Sequence, residues 1–127
     1  IIFCADKLQR NLTEHYWNYY YAQTFLSISE PLQPHEVKAM FPVEPFMCWD
    51  SHFISAQWSL TGDNRILIGG GSLWTTYAKR DTWTDRIIER VLRRFRGHWP
   101  SVSHVHFRQF WMGRIDMTRD LMPTVLR

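Results

Sequence analysis

Reactive side chains in this 127-residue sequence fall into a few small clusters. His104 and His106 lie two residues apart, and on a strand that spacing turns both imidazoles to one side, as a pair of metal ligands requires. No third ligand stands at a matching spacing, so no metal is assigned. Asp116 and Asp120, four apart, have the residue type for acid–base work. Hydrogen bonding to backbone amides in a turn is the simpler use of both. Cys4 and Cys48 are too few for a disulfide framework or a four-thiolate zinc site, and neither sits in a nucleophile motif. They suit a reducing, cytoplasmic setting, in which the Asn11-Leu12-Thr13 sequon carries no meaning. Gly69-Gly70-Gly71 invites a phosphate-loop reading, but the spacing matches neither G-x-G-x-x-G nor G-x-x-x-x-G-K-[ST]. These glycines are expected to end a strand, where they let a neighbouring backbone come close or bend the chain.

Charge adds a second theme. The formal net charge of +3 hides three basic and seven acidic residues before Arg65 against twelve basic and five acidic from Arg65 onward. Seven basic residues fall between Lys79 and Arg96. Such a stripe attracts phosphate, but no nucleic-acid-reading module accompanies it. Arg86, Arg90, Arg93 and Arg94 instead fit the solvent side of an amphipathic helix, with Glu89 pairing to Arg93 four residues on.

The elements that position these groups follow from periodicity. Gln23–Ser29 is rich in β-formers and closed by Glu30-Pro31, which predicts a strand; the aromatic run up to Tyr21 has no assignable structure. Pro34 opens a short helix with Val37, Met40 and Phe41 facing inward, ended by Pro42. From His52 to Leu60, Ile54, Ala56, Trp58 and Leu60 alternate with polar residues, a half-buried strand. Thr61-Gly62-Asp63-Asn64 is turn chemistry, and Arg65–Ile68 returns as the second arm of a hairpin. Thr84–Arg96 is a helix capped by Thr84, with Ile87, Ile88, Val91, Leu92 and Phe95 on one face and Gly97 and Pro100 ending it. His104–Trp111 alternates again, with Val105, Phe107 and Trp111 on one side and His104, His106 and Arg108 on the other.

The order of elements predicts an α+β fold, an antiparallel β-sheet with helices packed on one face. A mass of 15.3 kDa with 45% apolar residues suits one domain, residues 1–127. No run of apolar residues is long enough to span a membrane. The opening Ile1-Ile2-Phe3-Cys4-Ala5 reads as the tail of a buried strand rather than a signal peptide, which suggests a piece of a longer protein.

Two stretches resemble a known family. Asn64-Arg65-Ile66-Leu67-Ile68-Gly69-Gly70-Gly71 resembles the R-x-L-x-G-G hairpin strand of FAD-dependent oxidoreductases of the glycine oxidase/D-amino-acid oxidase superfamily. Trp111-Met112-Gly113, Thr118-x-Asp120 and Pro123 resemble that family's W-x-G, T-x-D and P segment, with the Thr84–Arg96 helix and Pro100 between them as in the family. Residues 1–6 resemble the tail of the last strand of its flavin-binding domain. The resemblance implies that the chain is mostly the substrate (cap) domain of such an enzyme. It would shape the pocket for a small-molecule amine or amino-acid substrate, oxidised by hydride transfer to FAD. No G-x-G-x-x-G follows a strand, so the chain alone should neither hold FAD nor turn over, and the FAD-binding domain becomes its implied partner.

Within that resemblance Gly113 is the position that approaches the flavin. Ile115 stands where the family's amino-acid oxidases carry a carboxylate-gripping arginine, and Arg114 is one residue out of phase. Ile115, Arg114 and Trp58 are the candidate substrate-binding residues, and an amine or a larger amino compound, rather than a plain α-amino acid, is the expected substrate. The alternative reading is a small basic α+β binding module that offers Trp58, Trp74, Trp83 and the arginine helix to an acidic or nucleic-acid partner.

Overall fold

The computed structural model describes residues 19–52, 54–76, 84–118, 120 and 122. Five strands, β1 (Tyr19–Ser29), β2 (Cys48–Trp49), β3 (Gln57–Leu60), β4 (Ile66–Thr76) and β5 (Phe107–Thr118), form one antiparallel sheet in the order β2-β3-β4-β1-β5. Helices α1 (Pro34–Met40) and α2 (Thr84–His98) and a short 3-10 turn (Pro100–Val102) complete the α+β fold.

The helices cover one face of the sheet. Ile87, Val91, Leu92 and Phe95 recur at helical spacing on α2 and pack with Phe25, Trp58, Ile66 and Ile68 in the core. Gly70 sets the approach, because a Cβ there would lie 3.0 Å from Val91 Cγ2. Met40 and Phe41 of α1 and Val102 of the 3-10 turn belong to the same core. Helix α1 starts at Pro34, and the Glu36 carboxylate accepts the Gln33 backbone N–H at 2.7 Å, which satisfies one donor at the helix start.

Two buried serines on the covered face are fully used. Ser27 Oγ donates to the Gln109 carbonyl at 2.9 Å, while Ser29 Oγ accepts the Ile66 N–H at 2.8 Å and donates to the Glu30 carbonyl at 2.7 Å. The β3–β4 turn is as its residues imply: Asn64 takes a positive φ of 59° and Thr61 accepts the Arg65 N–H.

Several element boundaries differ from the periodicity. Strand β1 begins at Tyr19 and so takes in the end of the aromatic run. Strand β3 starts at Gln57 and not at His52. The Asp50 carboxylate accepts the N–H groups of His52 and Ala56, and Asp50 N–H donates to the Ala56 carbonyl, so residues 50–56 close into a loop. The glycines do not end β4, which runs on to Thr76 because the long strand β1 lies alongside to pair with it. Helix α2 continues through Gly97 to His98, and Thr84 is its first residue rather than the cap before it.

The largest correction concerns β5. His104 and His106 precede the strand, which starts at Phe107. The pairing with β1 shifts between Ile28 and Ser29, whose partners are Gln109 and Phe107, leaving Arg108 as an extra residue. A bulge of this kind reverses the inward–outward alternation. Phe107 therefore turns to the core, edge-on to Phe95 with ring centroids 5.6 Å apart, while Trp111 stands on the opposite face.

Candidate functional site

The face of the sheet turned away from α2 carries the site. Thr24 of β1 pairs with Gly71 of β4 on one side and Gly113 of β5 on the other. This row of small residues crosses three adjacent strands and leaves a shallow trough. On one side the next row on this face brings Gln57, Gly69, Leu26 and Trp111 abreast. On the other, Ala22 pairs with Ile115. The large side chains bordering the trough are open to solvent: Leu26 is 39% exposed, Trp111 46% and Ile115 53%.

Together with the 50–56 loop this face encloses a groove of about 430 Å³, lined by residues that include Thr24, Leu26, Ile54, Gln57, Gly71 and Ile115. Its size falls within the usual range for small-molecule sites. None of the described lining residues carries a charge. Small residues are demanded here by space as well as shape. A Cβ on Gly71 would come within 3.0 Å of the Gln23 carbonyl oxygen, and one on Gly69 within 2.8 Å of a Leu26 methyl.

Ile54 reaches the groove because its loop is pinned from behind. The Asp50 side chain, 2% exposed, takes the Arg94 guanidinium as well as the two backbone N–H groups, and Arg94 also donates to the Ile54 carbonyl at 3.3 Å. Burial works to raise the Asp50 carboxyl, but the Ala56 N–H, the Arg94 guanidinium and the His52 N–H outweigh it and hold it below the usual carboxylate range. Arg94 is thus not on the solvated side of α2 with Arg90 and Arg93, as its position in the helix pattern suggested. The ion pair of Glu89 is with Arg96 at 4.0 Å and not with Arg93. Replacing Arg90 and Arg93 together with Gln is expected to change stability by less than about 0.5 kcal/mol in a urea titration, since both are exposed.

The residues singled out from sequence separate cleanly. Gly113 lies at the centre of the trough and Ile115 on its wall. Arg114 occupies the alternate register position, paired with Gln23. Trp58 lies on the helix-covered face, buried against Phe95 with ring centroids 6.0 Å apart, and is remote from the groove. Trp83 and residues 1–6 lie outside the described residues.

His104 and His106 do not form a ligand pair. His104 Nε2 lies 2.7 Å from Glu36, and the backbone of His106 is bonded to Glu30. Among the described residues no group of three or more His, Cys, Asp or Glu is placed to hold a metal ion. Asp120 accepts the Met122 N–H at 3.2 Å, the turn role expected of it. Burial pushes the Cys48 thiol up, against a smaller opposing contact from the Trp58 indole. No helix among the described residues is long and apolar enough to cross a membrane.

Thr24, Leu26, Gln57, Ile54 and Gly71 are the groove residues that sequence reasoning missed. Only the glycine run carried a signal, as a place of close approach; Thr24, Leu26 and Gln57 join the site through strand pairing and Ile54 through the loop pinned by Asp50 and Arg94. Compared with known protein families and with curated proteins, the sequence matches none.

Proposed function

We propose that the chain is the substrate domain of an FAD-dependent oxidoreductase that oxidises an amine or amino compound. The observation that carries this reading is the Gly71–Thr24–Gly113 row on the uncovered face of the sheet. A sheet that closes over a planar ring needs a flat patch without projecting side chains, flanked by apolar groups that exclude water. The trough with Leu26, Trp111 and Ile115 around it supplies both.

The fit to FAD extends to the ring and no further. Gly113 would let the backbone approach it, since a Cβ there would meet only Thr24 Oγ1 at 3.5 Å. The sequence offers no glycine-rich turn for the pyrophosphate, so the nucleotide half belongs to a partner domain. FAD, when bound, accepts the hydride from the carbon that bears the amine. The part of this chain is to seat the substrate against the trough and to keep water out with Ile115, Trp111 and Leu26. Among the described lining residues a carboxylate finds no cation, which favours an amine without a carboxylate over a simple amino acid.

The test is a substrate panel on the flavoprotein that contains this chain. Non-carboxylate amines should be oxidised at least about tenfold more efficiently than glycine or D-alanine, the discrimination expected when a carboxylate is left unpaired. Ile115→Arg should narrow that gap. Efficient oxidation of D-alanine by the unaltered protein, abolished by Arg114→Ala, would overturn the assignment of Ile115 to the substrate wall.

A further inference from the structure

Two side-chain amides line the groove: the Gln23 NH2 donates to Met112 Sδ at 3.2 Å, whereas Gln57 turns its NH2 end toward the groove floor. Gln57 stands beside Gly69 on the uncovered face, and the Trp49 indole N–H donates to its Oε1 at 3.2 Å. An indole nitrogen can only donate, so this contact settles which end of the amide is the carbonyl. The NH2 end is left over Gly69, where a Cβ would lie 3.0 Å from Nε2. Thr24 and Ser55, the hydroxyls lining the groove, can each donate or accept. Gln57 differs from them in presenting a donor only.

We infer that Gln57 is a specificity-determining residue of this groove, donating its amide N–H to a neutral carbonyl-type oxygen on a small ligand seated along Thr24 and Gly113. The inference rests on reading the groove as the substrate space and deepens that reading by naming the substrate class. The substrate is then an amine with an apolar body that also carries an uncharged acceptor, such as an amide or a ketone. Three observations converge on this. The described lining residues carry no charge, so they offer a carboxylate no counter-charge. The trough floor is flat and small, which suits a planar body. Gln57 presents a half-buried amide donor at the rim, and a donor that a ligand covers selects ligands able to satisfy it.

Benzamide is a suitable probe, because its ring can lie in the trough while its carbonyl reaches Gln57; toluene is the same ring without the acceptor. Both are titrated into the isotope-labelled chain and followed by heteronuclear NMR, the Gln57 side-chain amide signals being those absent from Gln57→Glu. Benzamide should shift these signals saturably. Gln57→Glu, which keeps an oxygen for Trp49 but replaces the donor, should weaken benzamide about fivefold and toluene by less than about twofold. Gly69→Ala, whose methyl group takes the place of the amide, should repeat the pattern, and retained spectral dispersion shows that each variant is folded. Equal losses for the two probes, saturation by benzamide without movement of the Gln57 amide signals, or no binding of either would overturn the inference. Benzamide binding through Gln57 in a protein that oxidises no amine would leave this inference standing and remove the catalytic reading alone.

Discussion

Phe95→Ala should cost about 3–5 kcal/mol of stability, the largest loss expected from a single truncation among the described residues. Phe95 is fully buried and joins three elements through edge-on aromatic contacts, to Trp58 on β3 and Phe107 on β5 from its seat on α2. Alanine would leave a cavity between rigid partners: the sheet is held by its ladders, and α2 is seated close against Gly70. The site has little means of collapsing. Thermal unfolding followed by circular dichroism should show the midpoint falling by about 10–15 °C. Phe110→Ala is the control, since that ring is 43% exposed, and its loss should stay below about 1 kcal/mol. Equal effects of the two would mean that α2 does not pack on the sheet through Phe95.

Arg94→Met should cost about 3 kcal/mol, because it leaves the Asp50 carboxylate buried without its counter-charge. Two backbone N–H groups still bind that carboxylate, which keeps the loss from being larger. The effect should depend on pH. The Asp50 carboxyl is held below its ordinary range in the folded protein, so its contribution is complete above the unfolded value of about 4 and is lost as pH falls through the lower folded value. The gap between the unaltered protein and Arg94→Met should therefore narrow in acid. Urea titrations at neutral and acid pH provide the check, and Asp50→Asn combined with Arg94→Met should recover part of the loss. A pH-independent gap would mean that Arg94 acts through the packing of its methylene stem rather than its charge.

These two residues also show where a linear reading of the chain succeeds and where it stops. Phe95 was legible as core because helical spacing alone places it with Ile87, Val91 and Leu92, and local spacing is contained in the sequence. The turn at Thr61–Asn64 was legible for the same reason. Arg94 was not, because its partner Asp50 lies 44 positions away and a polar residue on a polar helix face gives no hint of an appointment elsewhere. Trp111 was assigned to the side of Phe107 because alternation assumes an unbroken pleat, and the extra residue at Arg108 reverses it.

The groove was legible only in part. Gly113 and Ile115 were reached through resemblance, and Gly69–Gly71 through the meaning of glycine in a strand. Thr24 and Gln57 enter the site solely because β1 lies between β4 and β5 and β3 lies beyond β4, a matter of register that no local pattern encodes. Trp58 was legible from alternation as an apolar-face residue, and it is buried there; its place among the substrate-binding candidates does not hold, because that face is covered by the helices.

The reading of this sheet as the cover of an amine-oxidising flavin site is tested most directly by one measurement. The protein that carries this chain, supplied with FAD, is mixed, without oxygen, with an excess of an amine lacking a carboxylate, and the visible absorbance of oxidised flavin is followed. The account predicts rapid loss of that absorbance with amines that lack a carboxylate, and slow loss with D-alanine at the same concentration. Absorbance that persists with every amine, or that falls fastest with D-alanine, would contradict it.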